Sequence, residues 1–204
     1  GLSSTLGFDH STHVMQSRMQ VSHDVRKDIE KYILDDLNTK VSFTPKQIAD
    51  MGIVFGQGGI NDANEMKKSM ATTTYFSEAV NAVPEQAAEM IIAAAKGFKI
   101  SMEDSMTISD KLTTAVNNSL LHVEELPHAL GQLSGRAAMF GQSLDSSLVM
   151  LMATRDQGLS AAQASQNMLA GFRQISYIGN EMTLFKRRRR YYEELGIDTS
   201  FFDM

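Results

Sequence analysis

Cysteine and tryptophan are absent from this 204-residue chain, and proline occurs only at Pro45, Pro84 and Pro127. Lack of cysteine excludes disulfides, a thiol nucleophile and any cysteine-based zinc site, and it leaves the compartment open. No apolar run approaches the roughly 18 residues of a membrane span. The longest candidate, residues 87–98, is broken by Glu89 and Lys96. The first residues, GLSSTLGFDHSTH, have neither a basic nor an apolar region of the kind that makes a signal peptide. An excess of positive charge is also missing. Against 19 Lys and Arg stand 24 Asp and Glu, a net charge of −5, whereas a dedicated nucleic-acid binder is usually basic. Runs alternating between apolar and polar residues are missing too, which argues against sheet.

What is present is apolar content of 43%, with 14 Met and 10 Phe, returning at helical spacing. In residues 123–175, Leu126, Leu130, Leu133, Ala137 and Phe140 step by four and three. Leu144, Leu148, Leu151 and Met152 continue the pattern, followed by Ala164, Met168, Phe172 and Ile175. An all-α fold follows, a bundle of about eight short helices joined by short connections and therefore mostly antiparallel. Residues 1–12, rich in Ser, Gly and Thr, read as a flexible lead, and 13–204 as one helical module. The expected helices cover 13–38, a segment opening at Thr44-Pro45 and ending at Gly56–Gly59, then 62–81, 84–99 and 102–119. Thr44 with Gln47, and Ser160 with Gln163, have capping-box spacing, and Pro45 suits a first helical position. An internal echo relates the segments starting at Ser42 and Ser143, which would divide the module into halves of about 41–120 and 121–204. Duplication and shared helix-turn chemistry both account for it.

Few residues offer chemistry. His10, His13 and His23 are the one cluster with metal-ligand types, but no carboxylate completes a known pattern, so exposed histidines are expected. His122 and His128 flank Pro127 and do not converge. GQGGI at 56–60 lacks the Lys-Ser/Thr that a phosphate loop requires and reads as a helix end. The pairs Asp35-Asp36, Glu124-Glu125 and Glu193-Glu194 are adjacent in sequence, so on a helix they point about 100° apart and cannot act together as general acid and base. The expectation is a non-enzyme without metal or cofactor. Methionines 102, 106, 139, 150, 152 and 168 are either core or an adaptable binding surface.

The sharpest charge feature is Lys186, Arg187, Arg188, Arg189 and Arg190, followed by Tyr191 and Tyr192. Residues 1–185 carry 14 basic against 20 acidic side chains, so this run reverses the sign of the chain locally. It is either a solvated helix end or a contact for an anionic partner, whether nucleic acid, lipid surface or acidic protein.

The order of these elements resembles the core module of phage tail tape measure proteins, also called phage-related minor tail proteins. Glu124-Glu125-Leu126, Phe140-Gly141, Ser143-Leu144, Gly158 and Ala164 match the family pattern. Residues 41–60, 84–100, 104–118 and 191–198 resemble its other segments, so the likeness spans roughly 40–198. The chain has Ala164-Ser165 where the family pattern has Ala-Gly. The resemblance implies a structural protein of the tail lumen that templates tube polymerisation, sets tail length and is released as DNA is ejected. It implies tail tube protein, tail tip or baseplate proteins and tail assembly chaperones as partners, self-association, and residence in the host cytoplasm during assembly. As one unbroken helix 204 residues would span only about 300 Å, so one domain of a longer parent is expected. The alternative is a helical anion-binding module working through residues 186–190.

Overall fold

A computed structural model describes residues 2–139 and 141–194. Among them are nine α-helices and no strand, as the periodicity requires. They are α1 (Leu2–Met19), α2 (His23–Asp35), α3 (Pro45–Gly58), α4 (Ala63–Ala79), α5 (Pro84–Phe98), α6 (Ser105–Asn117), α7 (Leu126–Met139), α8 (Leu144–Asp156) and α9 (Ala161–Glu194). Short 3-10 turns at Leu37–Thr39, Met102–Asp104 and Val123–Glu125 link some of them.

The capping signals act as their chemistry demands. Thr44 Oγ1 accepts the Gln47 N–H at 3.3 Å while Gln47 Oε1 accepts the Thr44 N–H at 3.0 Å, closing the box ahead of Pro45. Ser160 and Gln163 repeat it at 3.2 and 2.9 Å before α9. Asp62 Oδ1 accepts the Glu65 N–H at 2.9 Å to open α4. At the other end of α3, Gly59 takes φ 105°, a left-handed conformation that costs glycine little.

Three expectations are corrected. Residues 2–12 are not a flexible lead but most of α1, which packs chiefly on α3. The helix expected over 13–38 is two helices, parted where Gln20 adopts φ 58° and Ser22 caps α2 by accepting the Val25 N–H at 3.4 Å. Nor are all helices short, since α9 runs 34 residues. Gly196, a residue type suited to a helix stop, lies outside the described residues.

The apolar interior falls into two clusters. One gathers Met15, Met19, Ile29, Ile33, Ile48, Met51, Phe55, Met66 and Met70 from α1 to α4. The other gathers Phe76, Met90, Ile91, Ile108, Leu112 and the stripes of α7, α8 and α9. Leu126, Leu130, Leu133 and Ala137 of α7 are fully buried, as are Leu151 of α8 and Ala164 of α9. Each Leu, Ile or Met taken from water contributes about 1.5–3 kcal/mol. α5 stands between the clusters, with Ala87 in one and Ala88 in the other.

The close approach of α1 to α3 depends on Gly52 and Gly56, one turn apart. A Cβ on Gly56 would lie 2.9 Å from Arg18 Cβ and 3.2 Å from the Met19 backbone nitrogen. A Cβ on Gly52 would meet the ends of Met15 and Met70. Between α9 and α7 the departure at Ser165 preserves close packing. Its buried hydroxyl donates to Ala161 O at 2.8 Å and reaches Ala129 O of α7 at 3.4 Å.

Candidate functional site

The polar residues singled out in the sequence are dispersed. His10 and His13 are exposed on α1, and His13 Nδ1 lies 2.8 Å from the Asp9 carbonyl. His23, on α2, accepts from Arg26 at 3.0 Å. No group of three or more His, Asp or Glu is placed to hold a metal among the described residues. His128 contacts Gln132 at 2.8 Å. Members of the carboxylate pairs are engaged separately: Asp36 with Lys40 at 2.5 Å, Glu125 with Arg155 at 3.3 Å, Glu193 with Arg189 at 3.0 Å. GQGG serves α3 as packing surface and stop, with Gly56 buried against α1.

A buried polar cluster went unnoticed in the sequence. Arg26 and Glu30 form an ion pair within α2, Lys27 Nζ lies 2.8 Å from the other Glu30 oxygen, and Thr12 of α1 donates to Glu30 at 2.6 Å. Burial alone would raise the Glu30 pKa. Hydrogen bonds from Lys27 and Thr12, with the charges of Arg26 and Lys27, outweigh it and hold the carboxyl below its ordinary range. Beside it, Ser11 donates to Asp50 of α3 at 2.5 Å, and Lys46 pairs with the other Asp50 oxygen at 2.5 Å. Hydrogen bonds from Thr12 and Ser11 thus tie α1 to α2 and α3, while Arg26 Nε is buried with no hydrogen-bond partner among the described residues.

The methionines divide by location. Met106 and Met139 are exposed, Met102, Met150 and Met152 are half-buried, and Met168 is buried. The fully buried ones, Met15, Met19, Met51, Met66, Met70 and Met90, lie elsewhere.

The basic run sits near the end of α9. At 1.5 Å per residue this helix is about 51 Å long, against about 21 Å for α7 and about 20 Å for α8, the helices it packs on. It is therefore roughly 30 Å longer than either. None of its described side chains after Phe172 is buried. Lys186, Arg187 and Arg190 are exposed, and Arg189 is half-exposed beside Glu193; the Arg188 side chain lies outside the described residues. Steps of 100° carry five consecutive residues around the axis, so Lys186 and Arg190 return to one side. No helix among the described residues is long and apolar enough to cross a membrane.

The described residues form an all-helical fold with a basic run near the end of its longest helix. The family described as phage-related minor tail protein matches residues 34–204, and the chain belongs to that family. Membership carries a structural role in a phage tail and a place in the virion. No curated protein and no solved structure matches the chain.

Proposed function

We infer that the chain is the core module of a tail tape measure protein, without enzymatic activity. It occupies the tail lumen, takes part in tube assembly and length determination, and leaves the tail when DNA is ejected. Its partners are the tail tube protein, the tip or baseplate proteins and, in the host cytoplasm, the tail assembly chaperones. The observation that carries this reading is the continuous family match from residue 34 to 204. The dispersal of every candidate catalytic group agrees with it. The test is in-frame removal of this module from its gene in the phage, followed by electron microscopy of the particles. Absent tails or tails of altered length are expected, and normal tails of unchanged length would overturn the reading.

A second reading is favoured by the exposure of Lys186, Arg187 and Arg190. In it the module binds nucleic acid or an anionic membrane. Retention on DNA that falls steeply with salt supports it, because displaced counterions dominate such binding.

A further inference from the structure

We propose that the module is a one-dimensional stack of helical hairpins with a period of about forty residues, and that it opens one hairpin at a time under tension. The role this gives the stack rests on the reading of the chain as a part of the tail that leaves when DNA is ejected.

The period shows in the polar bonds between helices. Ser11 and Asp50 are 39 residues apart, as are Asp28 and Lys67. Lys68 donates to the Glu103 carbonyl across 35 residues, and Lys111 to Asp145 across 34. The Leu120 N–H meets Asp156 across 36, and Ser165 reaches Ala129 across 36. Most of these bonds join helices two apart in the chain: α1 to α3, α2 to α4, α6 to α8 and α7 to α9. The three prolines keep a similar step. Pro45 and Pro84 open α3 and α5, and Pro127 is the second residue of α7.

The helices therefore form hairpins α1–α2, α3–α4, α5–α6 and α7–α8, with α9 following in the odd row. Odd helices stack on odd and even on even. Gly7 of α1 lies against Lys46 near the start of α3, and Arg18 against Gly56 near its end, so these two run parallel. Every substantial contact between described helices falls within a hairpin or between one hairpin and the next.

No substantial contact ties the first hairpin to the last, so an inner interface can stay made while an outer one breaks. Heat weakens every interface at once, and coupling between neighbours then melts the stack together. Tension on the two ends instead loads the outermost hairpin. A part that leaves through a tube gains from this, because the load at any moment is one interface and not the whole fold.

The experiment pulls single molecules of the full chain in an optical trap. The sequence has no cysteine, so Ser3→Cys and Glu194→Cys supply two unique handles. Extension should grow in successive releases of about 140 Å, the length of about forty residues at about 3.6 Å each. Gly56→Ala, which forces α1 away from α3, should shift one release to lower force. Asp156→Ala, which removes the acceptor of the Leu120 N–H, should shift a different one. A single release of about 690 Å, the whole length between the handles, overturns the proposal. So do releases unrelated to the hairpin length, or two substitutions that lower the same release. Such failure leaves the particle experiment unaffected, because tail length reports assembly and not the order of opening.

Discussion

The Thr12 hydroxyl of α1 donates a 2.6 Å hydrogen bond to the Glu30 carboxylate of α2, inside the protein and eighteen residues away in sequence. The same carboxylate neutralises the buried Arg26 guanidinium. Removing the donor by Thr12→Val should cost about 1.5–3 kcal/mol, the usual worth of a bond to a charged acceptor. Glu30→Ala leaves Arg26 buried without its counter-charge and should cost about 3–5 kcal/mol. Urea denaturation of the two variants checks the order. The pH dependence has a definite sign. Because the folded carboxyl titrates below its unfolded value, its stabilisation is complete above that unfolded value and is lost as pH falls through the lower, folded one. Melting temperature should therefore drop more steeply in wild type than in Glu30→Gln as pH is lowered past 4.5.

Glycines in helices should respond to alanine in opposite directions. Gly131 and Gly171 are exposed, and a Cβ on either would meet nothing within 4 Å. Alanine there should stabilise by up to about 1 kcal/mol each, since glycine is the weaker helix former. At Gly56 the obstacles are a Cβ and a backbone nitrogen, which cannot swing aside, so Gly56→Ala should destabilise by about 1–3 kcal/mol. Gly52→Ala should cost less than Gly56→Ala, because it meets flexible methionine ends. Denaturant midpoints of the four single variants provide the comparison.

Residues 1–33 lie outside the family match yet supply Met15, Met19, Ile29 and Ile33 to the N-terminal cluster. A chain beginning at residue 34 would leave the inner faces of Ile48, Met51 and Phe55 in water. It should bind a hydrophobic dye, aggregate and, with α5 less supported on its α3 side, lose circular dichroism signal at a lower temperature than the full chain. A soluble, dye-negative truncation would mean that α1 and α2 contribute little to covering α3.

Replacing Arg187, Arg188, Arg189 and Arg190 with Gln should leave helix content intact. The one described ion pair among them, Arg189 with Glu193, is exposed and of a kind worth about 0.3–0.5 kcal/mol. What should change is retention on an anionic column. Unchanged retention would remove the basic run from any account of binding.

Local chemistry made much of the fold legible. Hydroxyl and amide caps at Thr44, Gln47, Ser160 and Gln163 act within one turn, so sequence alone reveals them. The stripe of Leu126, Leu130 and Leu133 likewise shows which face of α7 is buried. α1 was not legible because little of it is apolar where it packs. Ser11 and Thr12 resemble surface residues, and their partners Asp50 and Glu30 belong to other helices. The break at Gln20 carries no glycine or proline to announce it. Gly52 and Gly56 stand four residues apart, a signal of close helix packing, but the neighbouring GQGG drew the reading toward a helix stop. At the candidate surface the charge of residues 186–190 was plain. The 34-residue length of α9 was not, since helical spacing shows a helix without showing where it ends.

Ala87 and Ala88 are consecutive in α5, about 100° apart around its axis, yet belong to different apolar clusters, so one helix lines both interiors. A wall common to two rooms cannot be taken down for only one of them. Loosening α5 from α3 also withdraws a face from α7, which couples the melting of the two clusters into a single cooperative event. Strain entering at α1 thus reaches α7 through two packed helices, α3 and α5, without passing through a loop.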